Sequence, residues 1–305
     1  MNKTGLFRNS TVNIVAIFFV AVFSSFSSYA QTAIVLPNSE AANAPAMTKH
    51  NGKMYIAYPQ YSTNKIVVRS LDGSYFRTLS DKTSDTPAIA SLDGKLHLAY
   101  KSNSGERIYN KTMTGTSWGS TSGNPSTTRK GPALEAFNGL LYMMFNSKSN
   151  DDLLYKWNNS GSWISAKNSG SDLFDSPSMA VHNGVMYVAY RSDDKQDEIS
   201  VRPYYGSSWG SSVRLYGTKT ADKPVLASSG SGLLFLVYKA RDSDRIYYKT
   251  SFDGTVWSAQ VDTGLFSAGT PGAEVSLGFA LTLAGKESYD DSFYKSIWTR
   301  TFYEY

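Results

Sequence analysis

The sequence contains no cysteine, so no disulfide framework braces this chain and its stability must come from burial and closure of the fold. Histidine is scarce as well. His50, His97 and His182 are the three present, and they stand in no metal-ligand spacing. Gly-x-Ser-x-Gly, phosphate-loop and dinucleotide fingerprints are all missing. Only one long apolar run exists. Residues 14–23 follow Lys3 and Arg8 and precede Ser28-Tyr29-Ala30, the pattern of a secretory leader cleaved after Ala30. The remainder has no segment of transmembrane length and is expected to be secreted or periplasmic. Charge surplus is also small. The formal net charge of +5 becomes +3 when Lys3 and Arg8 are removed, and acids and bases are interspersed, which excludes a nucleic-acid-binding stripe.

Aromatic residues are what the chain has in abundance: 21 Tyr, 15 Phe and 6 Trp, 14% of the sequence. Large flat side chains serve both packing between sheets and stacking against sugars. Six prolines, Pro45, Pro87, Pro132, Pro177, Pro224 and Pro271, recur at spacings of 42, 45, 45, 47 and 47 residues. A Gly follows each by seven or eight positions, and in the first five copies an aromatic residue closes the next apolar run (Tyr58, Tyr100, Phe145, Tyr190, Tyr238). A period in the forties built of short β-like runs marks a propeller blade.

In the second copy, residues 86–91 read as a strand, Leu92-Asp93-Gly94 as a turn, and residues 95–100 as a second strand. A third strand follows at 107–111, and Gly115-Thr116-Ser117-Trp118 turns into a fourth. The sixth copy runs out of chain. Thr32-Ala33-Ile34-Val35-Leu36 is expected to supply its missing outer strand and close the ring. The expectation is an all-β, six-bladed β-propeller of four-stranded antiparallel blades. It forms one domain over residues 31–305, with blades starting near 44, 86, 131, 176, 223 and 270.

An up-and-down blade sorts its loops onto two faces. The upper face gathers the residues two before each proline and the loops leaving the second strands. There Asp85, Asp175 and Asp222 either ring a cation such as Ca²⁺ or accept backbone hydrogen bonds at tight turns. Glu135 and Glu274, just beyond their prolines, are read as solvated channel linings or surface residues, with a lone acid or base as the alternative. Tyr100, Lys101, Tyr190, Arg191, Tyr238, Lys239 and Arg241 are nominated as ligand-binding residues, because they pair an aromatic plane with charged donors where second strands emerge.

The turn Ser251-Phe252-Asp253-Gly254-Thr255-Val256-Trp257 resembles the Asp-box of bacterial sialidases and related propellers. It is one residue short between Asp and Gly, and weaker copies end at Trp118, Trp163, Trp209 and Phe76. The resemblance implies a structural turn on the face away from an active site, with each Trp folded against its blade. A sialidase would also need an arginine clamp for a carboxylate, yet Asn43-Ala44-Pro45-Ala46 carries no Arg-Ile-Pro signature. The resemblance therefore stops at the scaffold. The sequence reads as a secreted, lectin-like carbohydrate-binding protein with repeated shallow glycan sites and no catalytic residue assigned. The alternatives are a glycosidase, or an adhesion platform for a cell-surface protein.

Overall fold

The computed structural model describes residues 33–159, 161–192, 196–230, 232–276, 280–288 and 296–303. The leader expected over residues 1–30 lies outside them, as does the Gly278 turn. Six antiparallel sheets follow one another along the chain. Blade 1 comprises Ala46–His50, Lys53–Pro59, Lys65–Ser70 and Phe76–Lys82. Blade 2 comprises Ala88–Leu92, Lys95–Lys101, Arg107–Thr114 and Ser122–Thr127, and blade 3 Ala133–Phe137, Leu140–Asn146, Asp152–Asn159 and Lys167–Asp172. Blade 4 comprises Ser178–His182, Val185–Arg191, Glu198–Tyr204 and Val213–Lys219, and blade 5 Val225–Ser228, Leu234–Lys239, Arg245–Ser251 and Val261–Phe266. Blade 6 joins Gly272–Ser276, Ala280–Lys286 and Ile297–Tyr303 to the N-terminal strand Ile34–Val35.

Each innermost strand begins at the residue after its repeat proline, where the missing N–H removes no ladder bond. The first hairpins turn on Asn51-Gly52, Asp93-Gly94, Asn138-Gly139 and Asn183-Gly184. Both residues of each pair have positive φ, as a two-residue turn matched to strand twist requires. The ring closes as expected at Ile34–Val35. Ile34 pairs with Thr299, and Val35 pairs with Trp298. Leu36 N donates to Ile297 O (2.8 Å), and Ile297 N donates to Ser39 Oγ (2.8 Å). The terminal edge is thereby covered.

Six hydrophobic clusters fill the six blade interfaces, one each. Second strands are buried on both faces because every blade is sandwiched between two others. Third strands carry a cation three residues after their first buried aliphatic: Arg69, Lys111, Lys156, Arg202, Lys249 and Arg300. Four of these reach back to the outer strand of the preceding blade, or to the chain just after it. Lys111 meets Asp81 (2.6 Å), Lys156 meets Ser126 (2.8 Å) and Asn124, Arg202 meets Ser171 (2.8 Å), and Arg69 meets Pro37 O (2.8 Å) across the seam. These contacts latch each interface at its outer radius.

Blade 1 resembles blade 4 in sequence, and blade 2 resembles blade 5. His50-Asn51-Gly52-Lys53-Met54-Tyr55-Ile56-Ala57-Tyr58 in blade 1 matches His182-Asn183-Gly184-Val185-Met186-Tyr187-Val188-Ala189-Tyr190 in blade 4. Arg107-Ile108-Tyr109-Asn110-Lys111-Thr112 in blade 2 matches Arg245-Ile246-Tyr247-Tyr248-Lys249-Thr250 in blade 5. The contacts repeat too, His50 Nδ1 meeting Ser91 Oγ (2.8 Å) and His182 Nδ1 meeting Ser228 Oγ (3.0 Å).

The turn at 251–257 is held by its own side chains. Asp253 Oδ1 accepts the N–H groups of Thr255 (2.8 Å) and Val256 (3.0 Å), which holds this carboxyl down to about 2. Ser251 Oγ accepts Gly254 N (2.8 Å). A Cβ on Gly254 would stand 2.1 Å from the Tyr187 ring, so this turn of blade 5 tucks directly onto blade 4.

Candidate functional site

The nominated upper-face residues divide in two. Tyr100, Tyr190 and Tyr238 are 3%, 4% and 2% exposed, so their rings offer no surface for stacking. Tyr100 lies against Tyr109 (5.8 Å between centroids) and donates to Asp81 (2.6 Å). Tyr238 lies against Tyr247 (5.9 Å) and donates to Gln260 (2.9 Å), while Tyr190 bonds Ser171 (3.2 Å) and Ser212 (3.0 Å). They are inter-blade packing, because strands buried on both faces hold no aromatic in the open. The cations do stay on the face, paired internally. Lys101 meets Asp85 (2.6 Å), Lys239 meets Asp244 (2.9 Å), and Asp197 serves both Arg191 (3.7 Å) and Arg241 (3.1 Å).

The upper channel mouth is a cup of about 370 Å³ whose walls include Asp85, Asp175 and Asp222 together with Lys130, Lys223 and Lys286. Asp222 accepts the N–H groups of Lys223 (2.8 Å) and Thr270 (2.7 Å), and Asp175 accepts that of Ser176 (2.7 Å). Burial pushes Asp175 up against the pull of Lys130, and burial pushes Lys223 down although Asp222, Asp175 and Asp85 favour its charged form. The aspartates are committed to backbone N–H groups and lysines, so they do not fit a Ca²⁺ ion. Among the described residues no three His, Asp or Glu side chains gather as metal ligands.

Below this cup the channel narrows to about 240 Å³. Glu135 and Glu274 occupy equivalent positions in blades 3 and 6, opposite each other in the ring. Burial and then the charge of Glu274 push Glu135 up to about 8. Burial pushes Glu274 up to about 7, against N–H bonds from Val275 (3.3 Å) and Lys49 (3.2 Å). Two carboxyls that hold protons near neutrality are capable of general acid chemistry.

A larger cavity lies elsewhere. A cleft of about 890 Å³ opens on the lower face between blades 2 and 3, and its origin is a lapse in the packing pattern. At the third position of the second strand, blades 1, 3, 4 and 5 carry Tyr55, Tyr142, Tyr187 and Phe235, each facing the next blade. Blade 2 carries His97. Two positions after the first buried aliphatic of the third strand stand Val68, Tyr155, Val201 and Tyr248, where blade 2 has Asn110. Blade 2 therefore contributes no ring to its interface with blade 3, and the space remains open. Blade 6 is also polar at the first position, but Thr282 there is satisfied by Thr301 (3.0 Å).

His97, Asn110, Thr112, Leu141, Trp118 and Trp163 line this cleft. His97 is half-buried and its Nδ1 meets Thr112 Oγ1 (3.2 Å); burial lowers its pKa, so it stays neutral. Trp118 donates to Tyr75 of blade 1 (2.9 Å) and Trp163 packs on the blade 2–3 cluster, each leaving part of its indole uncovered. Asn110 is the exception. Both its amide nitrogen and its amide oxygen are shielded and meet no partner. Burying an amide this way costs about 1–3 kcal/mol per unmet group. The sequence reading assigned the tryptophans to turns and passed over His97 and Asn110. Aligning blade 2 with blade 5 exposes both.

No protein-family model matches this sequence, and no curated protein matches it either. Solved propellers share its fold. A lectin of Aleuria aurantia, in complex with Fucα1-6GlcNAc, has 16% identity and a TM-score of 0.55 over 72% of this chain and 79% of its own. The GH93 α-L-arabinofuranosidase of Fusarium graminearum, in complex with arabinobiose, has 11% identity and a TM-score of 0.66 over 90% and 98%. A Hadza microbial sialidase has 12% identity and a TM-score of 0.58 over 86% and 65%. At these identities the likeness is one of fold.

Proposed function

We propose that this protein binds carbohydrate in the cleft between blades 2 and 3. One observation carries the reading. Where neighbouring blades fill the interface with rings, this one leaves a cavity edged by two indoles and floored by an amide with unmet hydrogen bonds. Apolar planes beside unsatisfied polar groups are what a saccharide needs, since it presents hydroxyls at its rim and C–H groups on its faces. The fold is shared with a lectin seen on a fucosylated disaccharide and with two enzymes named for glycans, which supports the same class of ligand. The leader expected over residues 1–30 fits export to where glycans are displayed.

Binding without cleavage is favoured at this cleft, because Asp93 is the one carboxylate on its wall among the described residues and glycoside hydrolysis ordinarily uses a pair. A second reading, glycoside hydrolysis, rests on Glu135 and Glu274 in the central channel.

A glycan array with the full exported chain tests the proposal, run beside the double variant His97→Phe/Asn110→Tyr, which copies blade 5 into blade 2. Binding by the wild type and its loss in a variant that still melts cooperatively is the expected result. Equal binding by both proteins would move the site away from this cleft. Turnover of reporter glycosides that is abolished by Glu135→Gln would favour the second reading.

A further inference from the structure

The cleft also carries information about the chemistry of its ligand, and this step rests on the carbohydrate reading above. We infer that the ligand is an uncharged sugar, gripped by Asn110 through two adjacent hydroxyl groups.

The charges around the cleft lead to this. Among the described residues the cations on its wall are Lys95 and Lys111, and Lys111 is committed to Asp81 (2.6 Å), with Thr121 also within reach (3.3 Å). Asp81 is held further by Tyr100 (2.6 Å) and Thr121 (2.6 Å), and the charge of Lys111 is compensated within the fold by this carboxylate. His97 lies between Thr112 and the backbone of Leu92 and is neutral. Lys95 and Asp93 stand exposed beside the inner turn and oppose each other in sign. A carboxylate brought into this cleft would lose its water and find one ammonium, the exposed Lys95, with Asp93 beside it to offset the gain, a costly transfer. Anionic sugars are recognised by converging cations, and none converges here.

The hydrogen-bonding group on offer is specific in shape. Asn158 is spoken for, its Oδ1 accepting Gly161 N (2.9 Å). The Asn110 carboxamide sets one acceptor beside one donor, and neither has a partner. A carboxylate presents two acceptors, one of which would face the Asn110 oxygen. Neighbouring hydroxyls match: one donates to Oδ1 while the other accepts from Nδ2. To meet the ligand the Asn110 amide has to turn out of its shielded position, a turn that breaks no hydrogen bond. The apolar face of such a ring would lie against Trp163, the indole of the blade 3 turn.

The test is calorimetric titration of the full chain with methyl α-galactoside, methyl α-mannoside, methyl α-fucoside and methyl α-glucoside. Methyl glucuronide and N-acetylneuraminic acid are the charged counterparts. At least one neutral glycoside should bind, and the charged sugars should bind about tenfold more weakly or not at all, as expected for loss of one or two hydrogen bonds. Asn110→Asp keeps the shape but removes the donor, and should weaken the neutral ligand about tenfold. Lys95→Ala should change it less than about threefold. Mono-O-methylation of either hydroxyl of the pair should abolish binding, with melting curves confirming that each variant is folded. A charged sugar that binds best, with its binding lost in the blade 5 copy, would overturn this inference and leave the carbohydrate reading intact. Silence toward every saccharide would overturn both.

Discussion

Blades 2 and 5 occupy the same place in the two halves of the ring, yet one encloses a cleft and the other a filled core. Their third strands read Arg-Ile-Tyr-Asn-Lys-Thr and Arg-Ile-Tyr-Tyr-Lys-Thr. In blade 5, Tyr248 is 4% exposed and packs with Phe235 (6.0 Å) and Phe302 (6.4 Å). In blade 2, Asn110 leaves that volume empty. The latches differ as well. Lys111 meets a carboxylate from blade 1, whereas Lys249 meets its own blade's Ser258 carbonyl (2.9 Å). One scaffold thus tolerates either a ring or a hole at one position, because each blade interface is closed independently by its own hydrophobic cluster. A site is made here by leaving out a side chain.

Breaking the filled member of the pair should cost most. Tyr248→Ala removes a buried ring and should destabilise by about 3–5 kcal/mol in urea unfolding. If the loss is under about 1 kcal/mol, blade 5 is no tighter than blade 2 and the comparison fails. Next come the latches. Lys111→Met strands Asp81, a carboxyl that burial would raise but that hydrogen bonds from Lys111, Thr121 and Tyr100 hold below its ordinary value. It should cost about 2–4 kcal/mol, while Lys249→Met, which strands no charge, should be near neutral. The Lys111→Met deficit should shrink as pH falls through the carboxylate range, where Asp81 takes up a proton. Thermal melts at pH 7 and pH 4 check both points.

Filling the hole should act in the other direction. His97→Phe/Asn110→Tyr removes two unmet amide groups and should gain about 1–2 kcal/mol, read as a rise in urea midpoint, at the expense of glycan binding. The last effect belongs to the channel, whose wall carries two carboxyls. Glu135 and Glu274 both titrate above their unfolded values, so the folded state binds more protons than the unfolded chain. That stability is present below the ordinary carboxylate range and is lost as pH rises through about 7 to 8. The melting temperature should fall from pH 5 to pH 8.5, and Glu135→Gln should flatten the fall. A flat wild-type profile would mean that the two groups are fully solvated.

Much of the fold was legible in the residues. Regular prolines marked where inner strands begin, Asn-Gly and Asp-Gly pairs marked the first hairpins, and Thr32–Leu36 stood where the last blade lacked a strand. These are local signals, set by φ restrictions and by period-2 or continuous burial. The candidate site was far less legible. Tyr100, Tyr190 and Tyr238 stood at strand ends next to cations, which reads equally well as a binding rim or as packing. Alternation distinguishes the two only when one face of a strand is exposed, and second strands here are buried on both. Asp85, Asp175 and Asp222 recurred like a metal ring, but the spacing does not show that Lys101 pairs with Asp85 and that Lys130 acts on Asp175 from the preceding blade. The cleft has no motif at all. Its signal is a ring that is missing, visible only by comparing blade 2 with its counterparts.

The sequence by itself determined the number of blades, the order of strands within each, the seam and the absence of covalent bracing. Each of these follows from backbone preferences and burial patterns that act over a few residues. Tertiary structure alone decided which aromatic residues are core, which charges are already spent, and where an interface stays open. Those depend on what stands opposite in the next blade, some 40 residues away in the chain. Packing density and charge compensation are properties of pairs of surfaces, and one strand read alone specifies only its own half.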